Sequence, residues 1–80
     1  MDITLDDVIE LLEGIRGDVD FGAESALVDG GVLDSFDILQ IISSFDEEFD
    51  IAIPAKDIVP ENFNSAAALH ALAVRILDEE

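Results

Sequence analysis

Apolar residues recur at helical spacing in three separate stretches of the chain, and this periodicity constrains the fold more than any other feature. In the first stretch the residues that share one face are Leu5, Val8, Ile9, Leu12 and Ile15. In the second they are Ile38, Ile41, Ile42, Phe45 and Phe49, and in the third Leu69, Leu72, Ala73 and Ile76. The alternation of apolar and polar residues that is typical of a half-buried strand occurs nowhere. The sequence therefore predicts an all-α fold.

Capping residues indicate where these helices begin. Thr4 can accept a backbone hydrogen bond at the start of the first helix, which we expect to run to about Arg16. The second helix is expected over residues 35–49. Ser65 is a suitable N-cap for a last helix over about residues 66–77.

The segments between these helices contain both prolines and most of the glycines. Pro54 and Pro60 bracket residues 55–59, which are long enough for a turn or two of helix. Residues 17–34 form a long loop, and in so short a chain such a loop needs apolar residues of its own to pack it down. The candidates are Phe21, Leu27, Val28, Val32 and Leu33. We therefore expect one domain over residues 1–80, a small bundle of three main helices plus one short helix, with a long first loop.

The charge of the chain is strongly unbalanced, with 20 acidic residues, three basic residues and a formal net charge of −17 at pH 7. Nucleic acids and anionic membranes are recognised by basic patches, so this composition argues against both as partners. It favours fast, salt-sensitive association with proteins that present Lys and Arg. The chain has no cysteine, no stretch of 18 apolar residues and no secretory leader pattern. We expect a cytoplasmic monomer that does not insert into membranes.

The start of the second helix contains the most distinctive group of residues. Asp34 is a good N-cap and places Ser35 in the first turn, where unpaired N–H groups and the helix dipole favour a phosphate. On a helical wheel Phe36 falls on the polar face, with Gln40 and Glu47. An exposed aromatic residue beside an exposed serine indicates a contact surface. An aspartate cap followed by serine is also ordinary helix chemistry, so these residues alone leave the function open.

Catalytic and metal-binding interpretations of the sequence are weaker. Carboxylates are abundant, but nothing distinguishes one pair from another, and the single histidine, His70, lies at the edge of an apolar stripe. That position favours a structural or surface role over catalysis. Asp18, Asp20 and Asp29 have a slight similarity to a calcium loop, but Ala23 occupies the place of the glycine that such a loop needs. We therefore expect neither an enzyme nor a metal site.

The residues around Ser35 resemble a known attachment motif. The stretch 33–37 (Leu-Asp-Ser-Phe-Asp) resembles the Asp-Ser-Leu motif of acyl carrier proteins. The stretch 46–54 (Asp-Glu-Glu-Phe-Asp-Ile-Ala-Ile-Pro) is similar to the Glu-Glu-Glu-Phe-Asp…Ile-Pro segment of that family. Residues 29–33 and 63–65 also fit, so the resemblance covers nearly the whole chain, including its length, acidity and helix order.

The resemblance implies a carrier rather than an enzyme. A phosphopantetheinyl transferase would attach 4′-phosphopantetheine from coenzyme A to the Ser35 hydroxyl, and the thiol of that arm would hold acyl or aminoacyl groups as thioesters. Enzymes with basic docking surfaces would load the arm and receive its cargo. The partner-binding positions that the resemblance implies are Asp34, Phe36, Asp37, Gln40, Asp46 and Glu47.

Three positions depart from the family pattern: Phe36 replaces leucine, Gln40 a common glutamate and Ser43 a common apolar residue. These departures argue against primary fatty-acid synthesis. The sequence is also similar to D-alanyl carrier proteins and to stand-alone carriers of specialised pathways, the group that we favour. The alternative is an acidic module that docks non-covalently through the Phe36 face. The two hypotheses differ in the fate of Ser35.

Overall fold

The computed structural model describes residues 3–79, which form helices joined by loops, with no β-strand in that range. The helices are α1 (Leu5–Ile15), α2 (Ser35–Phe49), α3 (Pro60–Phe63) and α4 (Ala66–Glu79). A 3₁₀ turn at Ala55–Asp57 lies between α2 and α3. The expected all-α fold, a small helical bundle, is confirmed.

The helices begin where the capping residues predict. Thr4 Oγ1 accepts a hydrogen bond from the Asp7 backbone N–H at 3.1 Å, and the Asp7 carboxylate accepts one from the Thr4 N–H at 3.0 Å. This reciprocal pair is a capping box at the start of α1. Ser65 Oγ accepts a hydrogen bond from the Ala68 N–H at 3.0 Å at the start of α4. Side-chain acceptors of this kind satisfy N–H groups that have no partner within the helix.

The region between α2 and α4 differs from the expectation. One short helix is expected over residues 55–59, but the structure has the 3₁₀ turn at Ala55–Asp57 and then a separate short helix, α3, with Pro60 as its first residue. Proline is favoured at this position because its fixed φ angle suits a helix and its missing N–H would be unpaired there anyway. Helix α4 also continues two residues beyond the expected end, to Glu79.

The core is built from the predicted helix faces together with residues of the loops. Helix α1 packs against α2 and α4, and α3 packs against α4. The buried helical residues from the three predicted faces are Val8, Leu12, Ile41, Phe45, Leu69, Leu72, Ala73 and Ile76. The periodicity places Leu5 on the core face of α1, but Leu5 is 39% exposed because it is the first residue of the helix and lies at the edge of the core.

The long loop packs down with the residues expected for it. Phe21, Leu27 and Leu33 are buried, and Val28 and Val32 are half-buried against the core. Residues outside the three helical stripes complete the core; they are Ile3, Ile51, Ile53, Phe63 and Ala66. No helix within residues 3–79 is both long enough and apolar enough to cross a membrane.

Candidate functional site

Ser35 is the first residue of α2 and is exposed. The Asp34 side chain caps the helix: its Oδ1 accepts a hydrogen bond from the Asp37 N–H at 2.9 Å, and Asp37 Oδ2 accepts one from the Asp34 N–H at 3.2 Å. The first-turn N–H groups and the helix dipole favour a negatively charged group at this end of the helix. An exposed hydroxyl in this position is therefore suited to carry a phosphate ester.

Asp37 takes a position different from that expected of a partner-binding carboxylate. The residue is only 7% exposed, and its Oδ2 accepts a hydrogen bond from Arg16 Nη1 at 3.0 Å as well as the bond from Asp34. A carboxylate at this depth is stable only when it is paired and hydrogen-bonded. The four-residue spacing to the buried Ile41 is the sequence signal for this inward position. Asp37 is therefore held within the fold and is not presented to a partner.

Arg16, the C-cap residue of α1, connects the end of that helix to the start of α2. Its Nη1 donates to the Val32 carbonyl at 3.1 Å in addition to Asp37. Its Nε and Nη2 donate to the two carboxylate oxygens of Asp18 at 3.1 and 3.2 Å. This hydrogen-bonded pairing lowers the pKa of Asp18 and raises that of Arg16 relative to their ordinary values. No local sequence pattern predicts this role of Arg16.

Asn64, between α3 and α4, holds the loop that leads to Ser35. Its Oδ1 accepts hydrogen bonds from the N–H groups of Val28 and Asp29, both at 3.0 Å, and its Nδ2 donates to Asp29 Oδ2 at 3.0 Å. The Asn64 carbonyl accepts a further bond from the Leu27 N–H at 2.8 Å. These long-range bonds take the place of regular secondary structure in satisfying the polar backbone of the loop.

An exposed surface extends from Ser35 along the outer side of α2. It has an apolar part, Phe36 and Leu39, which are 67% and 65% exposed, so the predicted exposure of Phe36 is confirmed. Its polar members are also exposed and are Gln40, Ser43, Asp46 and Glu47. We call these six residues the outer face of α2. Leu39 is absent from the sequence prediction, although its three-residue spacing from Phe36 places it on the same side of a helix.

The acidic residues of the outer face lie far from Ser35. Asp46 and Glu47 follow the serine by 11 and 12 residues, which corresponds to roughly 17 Å along the helix axis. Asp34 is exposed at the other end, next to the serine. The outer face therefore presents an apolar contact near Ser35 and negative charge toward the C-terminal end of α2, and Asp34 adds negative charge at the N-terminal end.

The other candidate chemical groups have partners elsewhere in the fold. His70 Nε2 lies 2.9 Å from the Ile3 carbonyl, so the half-buried ring connects α4 to the segment before α1, in keeping with the structural role expected for it. Two of the three carboxylates with slight similarity to a calcium loop are also engaged: Asp18 pairs with Arg16, and Asp29 accepts a hydrogen bond from Asn64.

Comparison with known proteins identifies the family. No protein-family model and no solved structure matches the chain. The chain is 34% identical over 71 residues to aminoacyl carrier protein 1 of Bradyrhizobium diazoefficiens, in a match that covers 84% of this chain and 78% of the relative. The helical bundle with an exposed serine at a capped helix start is thus that of a carrier protein. The chain belongs to the acyl carrier protein family.

Proposed function

We propose that the chain is a non-catalytic carrier domain that bears 4′-phosphopantetheine on Ser35 and presents acyl or aminoacyl groups to partner enzymes. The observation that carries the proposal is the exposed Ser35 within the Asp34–Asp37 capping box, next to an exposed apolar contact surface. The family membership supports a carrier function in general. In this proposal the carrier is a cytoplasmic monomer whose partners are proteins, not nucleic acids or membranes.

The attachment step uses one atom of this chain. The Ser35 oxygen would attack the phosphorus of coenzyme A that bears the pantetheine, and the bond from that phosphorus to the adenosine bisphosphate would break. The serine proton is lost, and the products are a phosphodiester on Ser35 and adenosine 3′,5′-bisphosphate. A phosphopantetheinyl transferase supplies the catalysis. The thiol of the attached arm would then hold the cargo as a thioester.

The residues around Ser35 fit such a group. The hydroxyl is exposed, and the positive end of the α2 dipole favours the negative charge of a phosphodiester there. The neighbouring Asp34 uses its Oδ1 in capping, which directs that part of the carboxylate toward the backbone N–H of Asp37. A phosphodiester can therefore be accommodated at this helix start despite the acidity of the chain as a whole.

Partner recognition is assigned to the outer face of α2. Phe36 and Leu39 supply an apolar contact beside the serine, and aromatic anchors of this kind often dominate small interfaces. Asp34, Asp46 and Glu47 supply negative charge for basic residues of the partner. We propose Gln40 as a polar contact between these regions. The name of the Bradyrhizobium relative favours an aminoacyl group as the first cargo to test.

The test of the attachment is an intact-mass measurement on the full chain after incubation with coenzyme A and a broad-specificity phosphopantetheinyl transferase. We expect a gain of one phosphopantetheinyl group on the wild-type chain and none on Ser35→Ala. Ser25→Ala is the matched control, since it removes an exposed serine outside both the Asp-Ser motif and the outer face of α2, and it should gain the arm. Attachment to Ser35→Ala would overturn the assignment.

The alternative function is a non-covalent docking module, which the 67% exposure of Phe36 also fits. A docking module would bind its partners equally well as the wild-type chain and as the Ser35→Ala variant, and neither would gain mass. If the wild-type chain remains unmodified while Phe36→Ala abolishes partner binding, the alternative replaces the carrier proposal.

A further inference from the structure

We infer that Arg16 is a positioning residue for Ser35: its guanidinium holds the segment 32–37 in the geometry that presents the serine hydroxyl for attachment of the arm. This inference rests on the proposed function of Ser35. Arg16 does not itself need to touch the arm or the transferase, because it acts through residues on both sides of the serine.

The geometry around Arg16 joins the two ends of this segment. Arg16 Nη1 donates to the Val32 carbonyl at 3.1 Å and to Asp37 Oδ2 at 3.0 Å. These acceptors lie three residues before Ser35 and two residues after it. Arg16 Nη1 therefore holds both the backbone that leads into α2 and the first turn of α2.

The buried carboxylate of Asp37 transmits this restraint to the serine. Asp37 Oδ2 is shared between Arg16 Nη1 and the Asp34 N–H, and Asp37 is 7% exposed. Without the guanidinium, a buried carboxylate loses its compensating charge and is driven to turn toward water. That movement would remove the acceptor of the Asp34 N–H and open one half of the capping box directly before Ser35.

The shape of the guanidinium is as important as its charge. While Nη1 reaches Val32 and Asp37, the Nε and Nη2 edge pairs with both oxygens of Asp18, which holds the plane of the group. A lysine ammonium carries the charge but lacks this planar fork. Arg16→Lys should therefore retain only part of the pairing with Asp37.

The chain provides a matched control in its second arginine–aspartate pair. Arg75 Nη2 lies 3.0 Å from Asp57 Oδ1, and this pair joins α4 to the 3₁₀ turn rather than to the segment around Ser35. Both Arg16→Gln and Arg75→Gln remove one positive charge. Arg75→Gln removes one ion pair of 3.0 Å, and Arg16→Gln removes a pair of the same length with Asp37 together with the pair with Asp18. Asp18→Asn tests the hold on the guanidinium plane separately, since it removes a charged partner of Arg16 but retains the bond to Asp37.

The experiment measures arm transfer from coenzyme A to the full-length variants under steady-state conditions, together with backbone amide exchange by NMR. For Arg16→Gln we expect kcat to fall by at least about tenfold, because a small displacement of a reacting group costs up to ~100-fold in rate. KM should change little, because the outer face of α2 is intact. Exchange of the Asp34 amide should accelerate several-fold. Arg16→Lys and Asp18→Asn should be intermediate, and Arg75→Gln should retain wild-type transfer and exchange.

A double variant shows whether Arg16 acts through Asp37. If it does, Arg16→Gln combined with Asp37→Asn should transfer the arm no more slowly than the slower of the two single variants, and additive losses would overturn that route.

Wild-type kcat and wild-type Asp34 exchange in Arg16→Gln would overturn the inference while the wild-type chain still gains the arm. If Arg16→Gln does not fold, Arg16→Lys is compared with Arg75→Lys. Slower arm transfer and faster Asp34 amide exchange in Arg16→Lys alone would support the inference, and wild-type values in both variants would overturn it. Absence of attachment to the wild-type chain would instead refute the proposed function.

Discussion

Phe36 and Phe45 lie nine residues apart on α2 and point to opposite sides of it: Phe36 is 67% exposed, whereas Phe45 is completely buried. The ring of Phe45 also makes an edge-to-face contact with Phe49, with 5.5 Å between the ring centroids. Two residues of the same type on one helix therefore have separate tasks. One fills the core, and the other is free for contacts outside the chain.

The first prediction compares the contributions of these two rings to stability. Phe45→Ala should reduce the free energy of unfolding by about 3 kcal/mol or more, because it leaves a cavity in the core. Phe36→Ala should reduce it by less than about 1 kcal/mol, as is usual for surface substitutions. Urea denaturation measures both values. Equal losses would mean that the Phe36 ring contributes to the core, which would remove it from the proposed docking surface.

The second prediction concerns recognition through the outer face of α2. Phe36→Ala and Leu39→Ala should each lower kcat/KM for arm transfer to Ser35, chiefly through a higher KM, since both remove apolar contact area beside the serine. Val74→Ala is the matched control: Val74 is an apolar residue of α4 that is 38% exposed but lies outside this face. If all three variants have the same kcat/KM as the wild type, docking uses another surface.

The third prediction compares two glycines whose surroundings differ. A Cβ atom on Gly30 would lie 2.6 Å from the Ala26 carbonyl oxygen, whereas one on Gly14, in α1, would meet nothing within 4 Å. Gly30→Ala should therefore lower the melting temperature, because the tight turn at residues 26–30 must open. Gly14→Ala should stabilise the fold by about 0.5–1 kcal/mol, since alanine is the better helix former. The proposed close packing of the turn is refuted if Gly30→Ala is as stable as Gly14→Ala in thermal melts.

The fourth prediction concerns Asp50, the C-cap of α2, whose φ of 56° places it in the left-handed region. Glycine and asparagine tolerate this conformation best, and a negative charge is unfavourable at the C-terminal end of a helix. Asp50→Asn should therefore stabilise the fold by about 0.3–1 kcal/mol. Asp50→Gly should also raise the melting temperature, whereas Asp50→Val should lower it. A lower melting temperature for Asp50→Asn would contradict this account.

The fifth prediction follows from the net charge of −17. Repulsion among the carboxylates destabilises the compact state, and salt screens that repulsion, so the melting temperature should rise with NaCl concentration. The same salt should weaken binding to a basic partner enzyme. Calorimetry over a range of ionic strength measures both effects on the same chain. Partner affinity that does not depend on salt would indicate apolar docking without an electrostatic contribution.

Much of the candidate site follows from local sequence signals. The helix start at Ser35, the capping role of Asp34 and the exposure of Phe36 depend on residues within one or two helical turns of each other, so periodicity and capping preferences predict them. The position of Leu39 follows from the same periodicity. By contrast, the separate helix at Pro60 depends on how the chain turns between two larger helices, and its boundaries are not evident from the prolines alone.

By itself, the sequence determined that the chain is helical, where its three long helices begin, and that a serine lies at the start of the second, because these properties depend on neighbouring residues. Only the tertiary structure decided the tasks of Arg16, Asp37 and Asn64. Arg16 and Asp37 are 21 residues apart, and Asn64 is 35 residues from Asp29. No local pattern specifies which partners meet across such distances. They are brought together by packing of the apolar faces of the helices and loop, and a buried carboxylate is retained where that packing places a guanidinium beside it.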